Sequence, residues 1–393
     1  MTPGPSPGAS SHSRISCHYM STQAGDQFET DPVNDLQVRH RIEALEENLS
    51  PYASRSAQSR GRERPETPSL LGTEYQRDRD RIIHTNAFRR LKHKTQVFLA
   101  PSGDHFVTRL THTLEVAQVG RIIARALNLN EDLVEAMSYG HDLGHTPFGH
   151  LGEETLNQVY SEGFTHSAQS LRIVEKLAQE GEGLNLTWEV RQGIISHSKP
   201  QGDFLDIKLD ESLTLEAQVL RLADSVAYLN HDIADAIRAG MLKVEDLPER
   251  ANRVLGTTHS QRLDALVTSI VRESWPVSGL GGTESGDKPV IQMTIEARDA
   301  MMELRNYMFQ NIYLPLGNTK QSEVARDVVK LLYSYFVDNA EEIPPPYFSP
   351  GADNDRAAVD YVAGMTDHYA IRQAEKLEPG VTQGAFHSVA LDN

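Results

Sequence analysis

The sequence has a single cysteine among its 393 residues, Cys17. One thiol can build neither a disulfide framework nor a thiolate metal site. No apolar run reaches the roughly 18 residues that a membrane-spanning helix needs, and the first residues lack the positive-then-apolar pattern of a secretory signal. We therefore expect a cytoplasmic protein that works away from membranes.

Strand signals are scarce as well. Residues 97–99 and 106–107 are the exception, and they predict two short strands of a hairpin around 101–104. Apolar residues at helical spacing instead predict helices at about 38–57, 215–237 and 354–377. The sequence therefore predicts an all-α protein with four parts, namely a disordered tail at 1–37, a helical extension and linker at 38–70, a main helical domain at 71–343 and a C-terminal helical appendage at 344–393.

Positive charge is in the minority, since the formal net charge is −17. A surface of that sign repels nucleic acid phosphates, so binding of single-stranded DNA is not indicated. Between Arg77 and Lys94, however, five arginines and two lysines stand against two aspartates. This basic strip is either a solvated helix face or a site for a small anionic ligand, and its charge alone does not decide between them.

Imidazoles and carboxylates are concentrated in one short segment. It reads His141-Asp142-Leu-Gly-His145-Thr-Pro-Phe-Gly-His150-Leu-Gly-Glu153. Neutral imidazole and carboxylate are the usual ligands of a catalytic divalent ion. A segment that only packed a core would not need so many of them, so this segment is predicted to form the centre of a metal-dependent site.

The remaining metal ligands must come from other helices. On one helix His141 and Asp142 would point about 100° apart, so they reach a shared ion only at the seam between their directions. His112 lies upstream in Arg-Leu-Thr-His-Thr-Leu-Glu, and Asp224 lies downstream in an otherwise apolar helix. Burying that carboxylate without a partner costs several kcal/mol, so Asp224 is predicted to face a cation.

The chain resembles the HD superfamily of metal-dependent phosphohydrolases, and most closely the bacterial deoxyguanosine triphosphate triphosphohydrolase family. It is similar, more distantly, to the mammalian HD-domain dNTP triphosphohydrolase. The resemblance runs from about residue 38 to 377, and the segments that carry it are 77–84, 87–91, 94–98, 108–115, 141–153, 223–232 and Gly364-Met-Thr-Asp-His-Tyr-Ala370. It implies a helical HD domain that hydrolyses deoxynucleoside triphosphates (dNTPs) to deoxynucleoside and intact triphosphate, in control of the dNTP pool.

The resemblance also implies roles for individual side chains. The implied metal ligands are His112, His141, Asp142 and Asp224. The implied catalytic side chains at the attacked phosphorus and along the triphosphate are His150, Glu153, His145 and His166. The implied contacts to phosphate and deoxyribose are Arg109, Gln96, Tyr228 and Asp232. The bulk of Tyr228 is expected to exclude a 2′-hydroxyl.

The sequence departs from the family pattern at three positions, where it has Val107, Ser167 and Ser225. These changes leave the metal ligands intact and bear on phosphate affinity and base preference. The chemistry fits the residues independently of the family, because the nucleoside 5′-oxygen is a poor leaving group that needs a proton. His150 and Glu153 are three residues apart, which places both on one helix face as an acid–base pair.

The expected cofactor is a divalent metal ion, Mg²⁺ or Mn²⁺, although nitrogen ligands also admit Fe, Co, Ni or Zn. The expected partners are the dNTP substrate and further copies of the chain, because relatives form tetramers or hexamers. A second dNTP acting as allosteric activator stays open. Two alternatives remain, a binuclear HD phosphodiesterase with a second metal at His145, His150 and His166, and a non-catalytic nucleotide- or DNA-binding regulator.

Overall fold

The computed structural model describes residues 36–99, 106–198, 213–280, 290–349 and 351–386. Within these ranges the chain forms helices joined by turns and contains no strand, which confirms the all-α fold class. The tail predicted at 1–37 lies outside the described residues except for its last two. Among the described helices, none combines the length and apolar character of a membrane span.

The fold consists of helices of very different length, the longest of which has 24 residues. The α-helices of five or more residues in the described ranges are α1 (Val38–Glu46), α2 (Glu74–Ile83), α3 (Asn86–Arg90), α4 (Arg109–Ala126), α5 (Glu131–Gly140), α6 (His150–Val159), α7 (His166–Arg172), α8 (Trp188–Ser196), α9 (Leu215–Arg238), α10 (Glu249–Leu255), α11 (His259–Glu273), α12 (Ile295–Met308), α13 (Lys320–Asp338), α14 (Asn354–Ala363) and α15 (Asp367–Leu377).

Two hydrophobic cores form between these helices. The larger core is centred on α9, which packs along α4, and α4 in turn packs along α5. The smaller core is formed by α6, α13, α14 and α15. The segment from His141 to Gly149 lies where the cores meet, since the Leu143 side chain belongs to the larger core and that of Phe148 to the smaller.

The helix α9 agrees closely with the helix predicted at 215–237, whereas the helix predicted at about 38–57 is shorter. It ends at Glu46 and is followed by turns and a 3₁₀ helix at Ser56–Gln58. Pro51 cannot donate a backbone hydrogen bond, and the backbone N–H of Ser50 is donated to the Asn128 carbonyl oxygen at 2.8 Å. These contacts favour a turn over a continued helix.

The hairpin predicted at 97–99 and 106–107 is wrong for the residues described, and 100–105 lie outside them. Only an isolated antiparallel bridge between Thr95 and Thr108 forms there. The backbone N–H of Thr95 is donated to Asp367 at 3.1 Å, and that of Val107 to Asp235 at 3.0 Å. Because these carboxylates accept the N–H groups next to the bridge, a ladder does not extend from it.

Candidate metal and phosphate site

Two helices and the turn that follows a third bring the predicted metal ligands together. His112 lies in the first turn of α4, and Asp224 lies in the middle of α9. The adjacent His141 and Asp142 do not lie within one helix, because α5 ends at Gly140 and His141 is its C-terminal cap. The turn that follows is held by α7, since the Ser170 hydroxyl donates to the His141 carbonyl oxygen at 2.6 Å.

The four side chains surround one small space. His112, His141 and Asp224 each offer a ligand atom, and these atoms lie within 4.8 Å of one another. His112 Nε2 is 3.2 Å from the Asp224 carboxylate and 3.8 Å from that of Asp142. His141 Nε2 is 3.5 Å from Asp142 and 4.0 Å from Asp224.

The protonation states suit a divalent cation. The His141 Nδ1–H donates to the Ser138 carbonyl oxygen at 2.6 Å, so Nε2 keeps its lone pair, and this buried atom has no hydrogen-bond partner among the described residues. Burial opposes ionisation of Asp142 and Asp224, but nearby histidines hold the pKa of both carboxyls well below the usual range. A cation bound here would supply the positive charge that the histidines otherwise provide, which leaves charged carboxylates and neutral imidazoles, the forms that bind metal. The residues therefore fit the implied ion.

Arg109 provides a buried positive charge beside these ligands. The residue is 1% exposed, and its Nη1 donates to Asp142 at 2.9 Å. Its Nε and Nη2 atoms have no hydrogen-bond partner within the described part of the chain. Leaving guanidinium donors buried and unpaired is costly, and their geometry matches a phosphate or carboxylate oxygen.

A second cluster adjoins Arg109 and Asp142. Its four side chains offer ligand-type atoms that lie within 4.8 Å of one another, namely those of His145, His150, Glu153 and His166. Glu153 links two imidazoles, with 3.0 Å to His150 Nδ1 and 2.8 Å to His166 Nδ1. The rings of His145 and His166 stack at 4.0 Å. The side chain of His150 is 76% exposed, so it is open to solvent at the edge of the cluster.

Two buried histidines that the sequence analysis missed extend these clusters. His197 Nε2 lies 3.0 Å from His166 Nε2, and His231 Nε2 lies 2.9 Å from His112 Nδ1. His197 ends a helix that carries no motif, so nothing in the sequence distinguishes it from a core histidine. His231 does have a sequence signal, since it forms a second His-Asp pair with Asp232.

The predicted sugar contacts Tyr228 and Asp232 follow Asp224 at intervals of one helical turn on α9. Both are paired with side chains that the sequence analysis missed. The Tyr228 hydroxyl accepts from Arg305 Nε at 3.2 Å, and the Asp232 carboxylate accepts from the Tyr313 hydroxyl at 2.6 Å. Tyr313 ends a π-helical turn at Phe309–Tyr313, a feature that is frequent at functional sites.

Gln96 lies against the loop that precedes α6. A Cβ placed on Gly149 would be 3.2 Å from the Gln96 carbonyl oxygen and 2.8 Å from Arg109 Nη2, so these groups are close neighbours. The arginines of the basic strip that lie in α2 are neutralised by ion pairs. Arg77 and Arg81 both pair with Glu66, as expected of a structural helix face.

Two family models match the chain. The model described as "HD domain" matches residues 109–239, and the model described as "Phosphohydrolase-associated domain" matches residues 291–376. The chain is 48% identical over 348 residues to a "Deoxyguanosinetriphosphate triphosphohydrolase-like protein" of Caldanaerobacter subterraneus subsp. tengcongensis, covering 87% of this chain and 96% of the relative.

Two further relatives carry the same name. The protein of Desulfatibacillum aliphaticivorans is 44% identical over 355 residues, which cover 87% of this chain and 98% of the relative. That of Clostridium perfringens strain 13 is 43% identical over 345 residues, with the same shares of 87% and 98%. The chain therefore belongs to the deoxyguanosinetriphosphate triphosphohydrolase-like family of HD-domain hydrolases.

Proposed function

We propose that the protein hydrolyses dNTPs to deoxynucleoside and inorganic triphosphate with the help of a divalent ion. The observation that carries this proposal is the unpaired side of the Arg109 guanidinium. It is buried between the His112–His141–Asp142–Asp224 cluster and the His145–His150–Glu153–His166 cluster. A phosphate chain placed there meets a cationic donor, several imidazoles and a metal site at once.

The residues that would hold the ion are His112, His141, Asp142 and Asp224. A bound Mg²⁺ or Mn²⁺ would supply Lewis-acid stabilisation of charge on the phosphate oxygens. Asp142 is shared between the two functions, because its carboxylate also accepts from Arg109 Nη1. The phosphate-binding arginine is thereby held at a defined distance from the metal ligands.

His150 and Glu153 are the proposed acid–base pair. The oxygen of a water molecule bonds to the α-phosphorus and the water releases a proton, while the bond to the nucleoside 5′-oxygen breaks and triphosphate is freed in one piece. The departing 5′-oxygen takes a proton, which an exposed imidazole held by a carboxylate can provide. Glu153 orients His150 and His166 from opposite oxygens of its carboxylate. His145 stacks on His166 and adds a further imidazole along the triphosphate.

The nucleoside end of the substrate is proposed to lie along α9, against Tyr228 and Asp232, with Gln96 near the 3′-hydroxyl. Arg305 and Tyr313 hold these two side chains in place. Ring bulk at Tyr228 would exclude a 2′-hydroxyl by steric clash, which is a strong route to discrimination.

Product analysis tests the proposal directly. The four dNTPs and GTP are incubated with the protein, singly and in mixtures, with Mg²⁺ or Mn²⁺, and the products are separated by ion exchange. Deoxynucleoside and triphosphate are the expected products, whereas monophosphate and pyrophosphate would overturn the proposal. Faster hydrolysis in mixtures is the readout for a second, activating dNTP, and light scattering of the same sample tests for a homo-oligomer.

A further inference from the structure

The segment Gly364-Met-Thr-Asp-His-Tyr-Ala370 has no part in the function proposed so far. It joins α14 to α15 and belongs to the match with the phosphohydrolase-associated domain. Its Asp367 is the first residue of α15 and is 1% exposed. A buried carboxylate needs hydrogen bonds or a cation, and the donors to this one come from segments more than 200 residues away along the chain.

Asp367 accepts three hydrogen bonds from two distant segments. One carboxylate oxygen accepts from the backbone N–H of Thr95 at 3.1 Å and from the Thr95 hydroxyl. The other oxygen accepts from the backbone N–H of Phe148 at 3.1 Å. One side chain of the C-terminal segment therefore connects Thr95, in the chain before α4, with Phe148, in the loop before α6.

The loop before α6 has a backbone conformation that needs such support. Phe148 has φ 61° and Gly149 has φ 58°. A non-glycine residue in the left-handed region costs on the order of 1–3 kcal/mol and persists only where the surroundings impose it. Here the N–H is held by Asp367, and the Phe148 ring packs in the smaller core against Phe386, with ring centroids 5.7 Å apart.

The conformation of this loop places the proposed catalytic groups. Gly149 immediately precedes His150, the first residue of α6, and packs against the Arg109 guanidinium. At the start of the loop, the backbone carbonyl of His145 accepts from Lys94 Nζ, which also donates to the Ala363 carbonyl oxygen at 2.9 Å. The start of the loop is thus linked through Lys94 to the last residue of α14, and Phe148 near its end is held by Asp367.

We propose that Asp367 is a positioning residue. It holds the Phe148–Gly149 turn in the conformation that places the side chains of His150 and Arg109 correctly for the substrate. The inference rests on the proposed function for its kinetic consequence. Asp367 touches neither substrate nor the metal ligands, and the site for the ion is built without it. Its loss therefore impairs turnover while metal binding stays intact.

Glu375 on the same helix offers a control that is matched in its hydrogen bonds but less buried. Its carboxylate accepts from the backbone N–H groups of Gly380 and Thr382 and from the Thr382 hydroxyl. It thus makes the same kinds of contact as Asp367, but to the turn that follows its own helix. Asp367→Asn and Glu375→Gln each replace one acceptor oxygen by a donor and leave the size of the side chain unchanged.

The two variants are compared by metal content, kcat and KM for dGTP, and hydrogen exchange by mass spectrometry. For Asp367→Asn we expect a fall in kcat of about 10- to 100-fold, the scale for small misplacements of reacting groups, with KM within about twofold and metal content unchanged. Exchange should rise in peptides spanning 93–97 and 143–152. Glu375→Gln should leave kcat and these peptides at wild-type values.

A kcat of Asp367→Asn equal to that of Glu375→Gln, or loss of the metal, would overturn the proposal. If Asp367→Asn does not fold, Thr95→Val removes only the hydroxyl contact and should show a smaller fall in kcat with the same pattern of exchange. If wild-type protein releases products other than triphosphate, the proposed function fails. Exchange in the two peptides still decides whether Asp367 holds the turn.

Discussion

The Nε2 atoms of His166 and His197 lie 3.0 Å apart and face each other. Their Nδ1 atoms face acceptors, the Glu153 carboxylate at 2.8 Å and the Ile194 carbonyl oxygen at 2.7 Å, so each Nδ1 carries a proton. In two neutral rings, both Nε2 lone pairs would then meet across the gap. Either a shared proton or a cation must lie between them.

The shared proton is the arrangement that agrees with a single metal ion. Burial, reinforced by His141 and His166, lowers the pKa of His197 to about 3, while His166 contacts the charged Glu153. His197 is therefore neutral near pH 7, and its Nε2 atom acts as an acceptor across the gap. We expect elemental analysis to find one equivalent of divalent metal per chain, in wild type and in His197→Ala alike.

A count of two metal ions per chain would favour the binuclear phosphodiesterase. Asp142, His166 and His197 offer ligand-type atoms within 4.8 Å of one another. Two equivalents in wild type and one in His197→Ala would place a second ion in this group. The acid–base assignment made for the neighbouring His150 would then have to be revised.

Metal binding and catalysis should separate between two further variants. Asp224→Ala removes a proposed ligand, so it should lose most of its metal and, with it, its activity. His150→Ala removes a side chain proposed not to touch the ion. It should keep its metal and bind dNTP in calorimetry, while turnover falls by about 10²- to 10⁴-fold, the usual range for a positioned acid or base. The turnover of Glu153→Gln should fall less than that of His150→Ala, because Glu153 only orients His150.

The exposed His259, at the start of α11, serves as the control, and His259→Ala should match wild type in metal content and turnover. Loss of metal from His150→Ala would make His150 a ligand. If His150→Ala keeps both its metal and full turnover, the contact between His150 and Glu153 has only a structural role. His166 would then be the next residue to test as the acid.

Discrimination against ribonucleotides should depend on the ring of Tyr228. We expect wild type to hydrolyse dGTP with a higher kcat/KM than GTP, and Tyr228→Ala to narrow that gap because the clash with the 2′-hydroxyl is removed. Tyr228→Phe keeps the ring but cannot accept from Arg305, so it should retain most of the discrimination. Equal kcat/KM for GTP and dGTP in wild type would exclude this role for Tyr228.

The helices and the ligand-type residues on them follow from local patterns. Apolar spacing predicted α9, and the intervals of four residues from Asp224 to Tyr228 and on to Asp232 place these three on one face of it. Hydrogen bonds from Arg305 to Tyr228 and from Tyr313 to Asp232 depend instead on how α12 packs against α9. No periodicity or spacing in the sequence encodes that packing, so the partners of the predicted sugar contacts could not be found from it.

The failed hairpin has a similar cause. The residues at 97–99 have strand propensity, but strand formation requires free backbone groups as well as suitable side chains. Asp235 and Asp367, from α9 and α15, accept the N–H groups of Val107 and Thr95. These acceptors lie more than 100 residues away along the chain, so the local sequence could not reveal the competition.

The catalytic roles of the clustered residues stay predictions until the variants are measured.

The stability of the protein should depend on pH through Lys94. This residue is 2% exposed and donates to the backbone carbonyls of His145 and Ala363. Burial lowers the pKa of its ammonium group to about 7, with Arg90 adding to the effect and Asp367 opposing it. In the unfolded chain a lysine titrates near 10.4, so between about pH 7 and 10 the unfolded state binds more protons than the folded state.

The free energy of unfolding should therefore rise with pH across that window, by up to about 1.4 kcal/mol per pH unit from this group, and the contribution should level off below pH 7. Lys94→Met lacks the ionisable group, so in this variant the rise in the free energy of unfolding that comes from Lys94 should be absent. Urea unfolding of both proteins at pH 6, 7, 8 and 9, with a chelator present so that metal binding does not contribute, measures the difference. Lys92→Met, at an exposed position two residues away, is the control and should follow the wild-type curve. A gap between wild type and Lys94→Met that stays constant from pH 7 to 9 would show that the Lys94 ammonium keeps its ordinary pKa in the folded protein, and that hydrogen bonds to the two carbonyls fully compensate its burial.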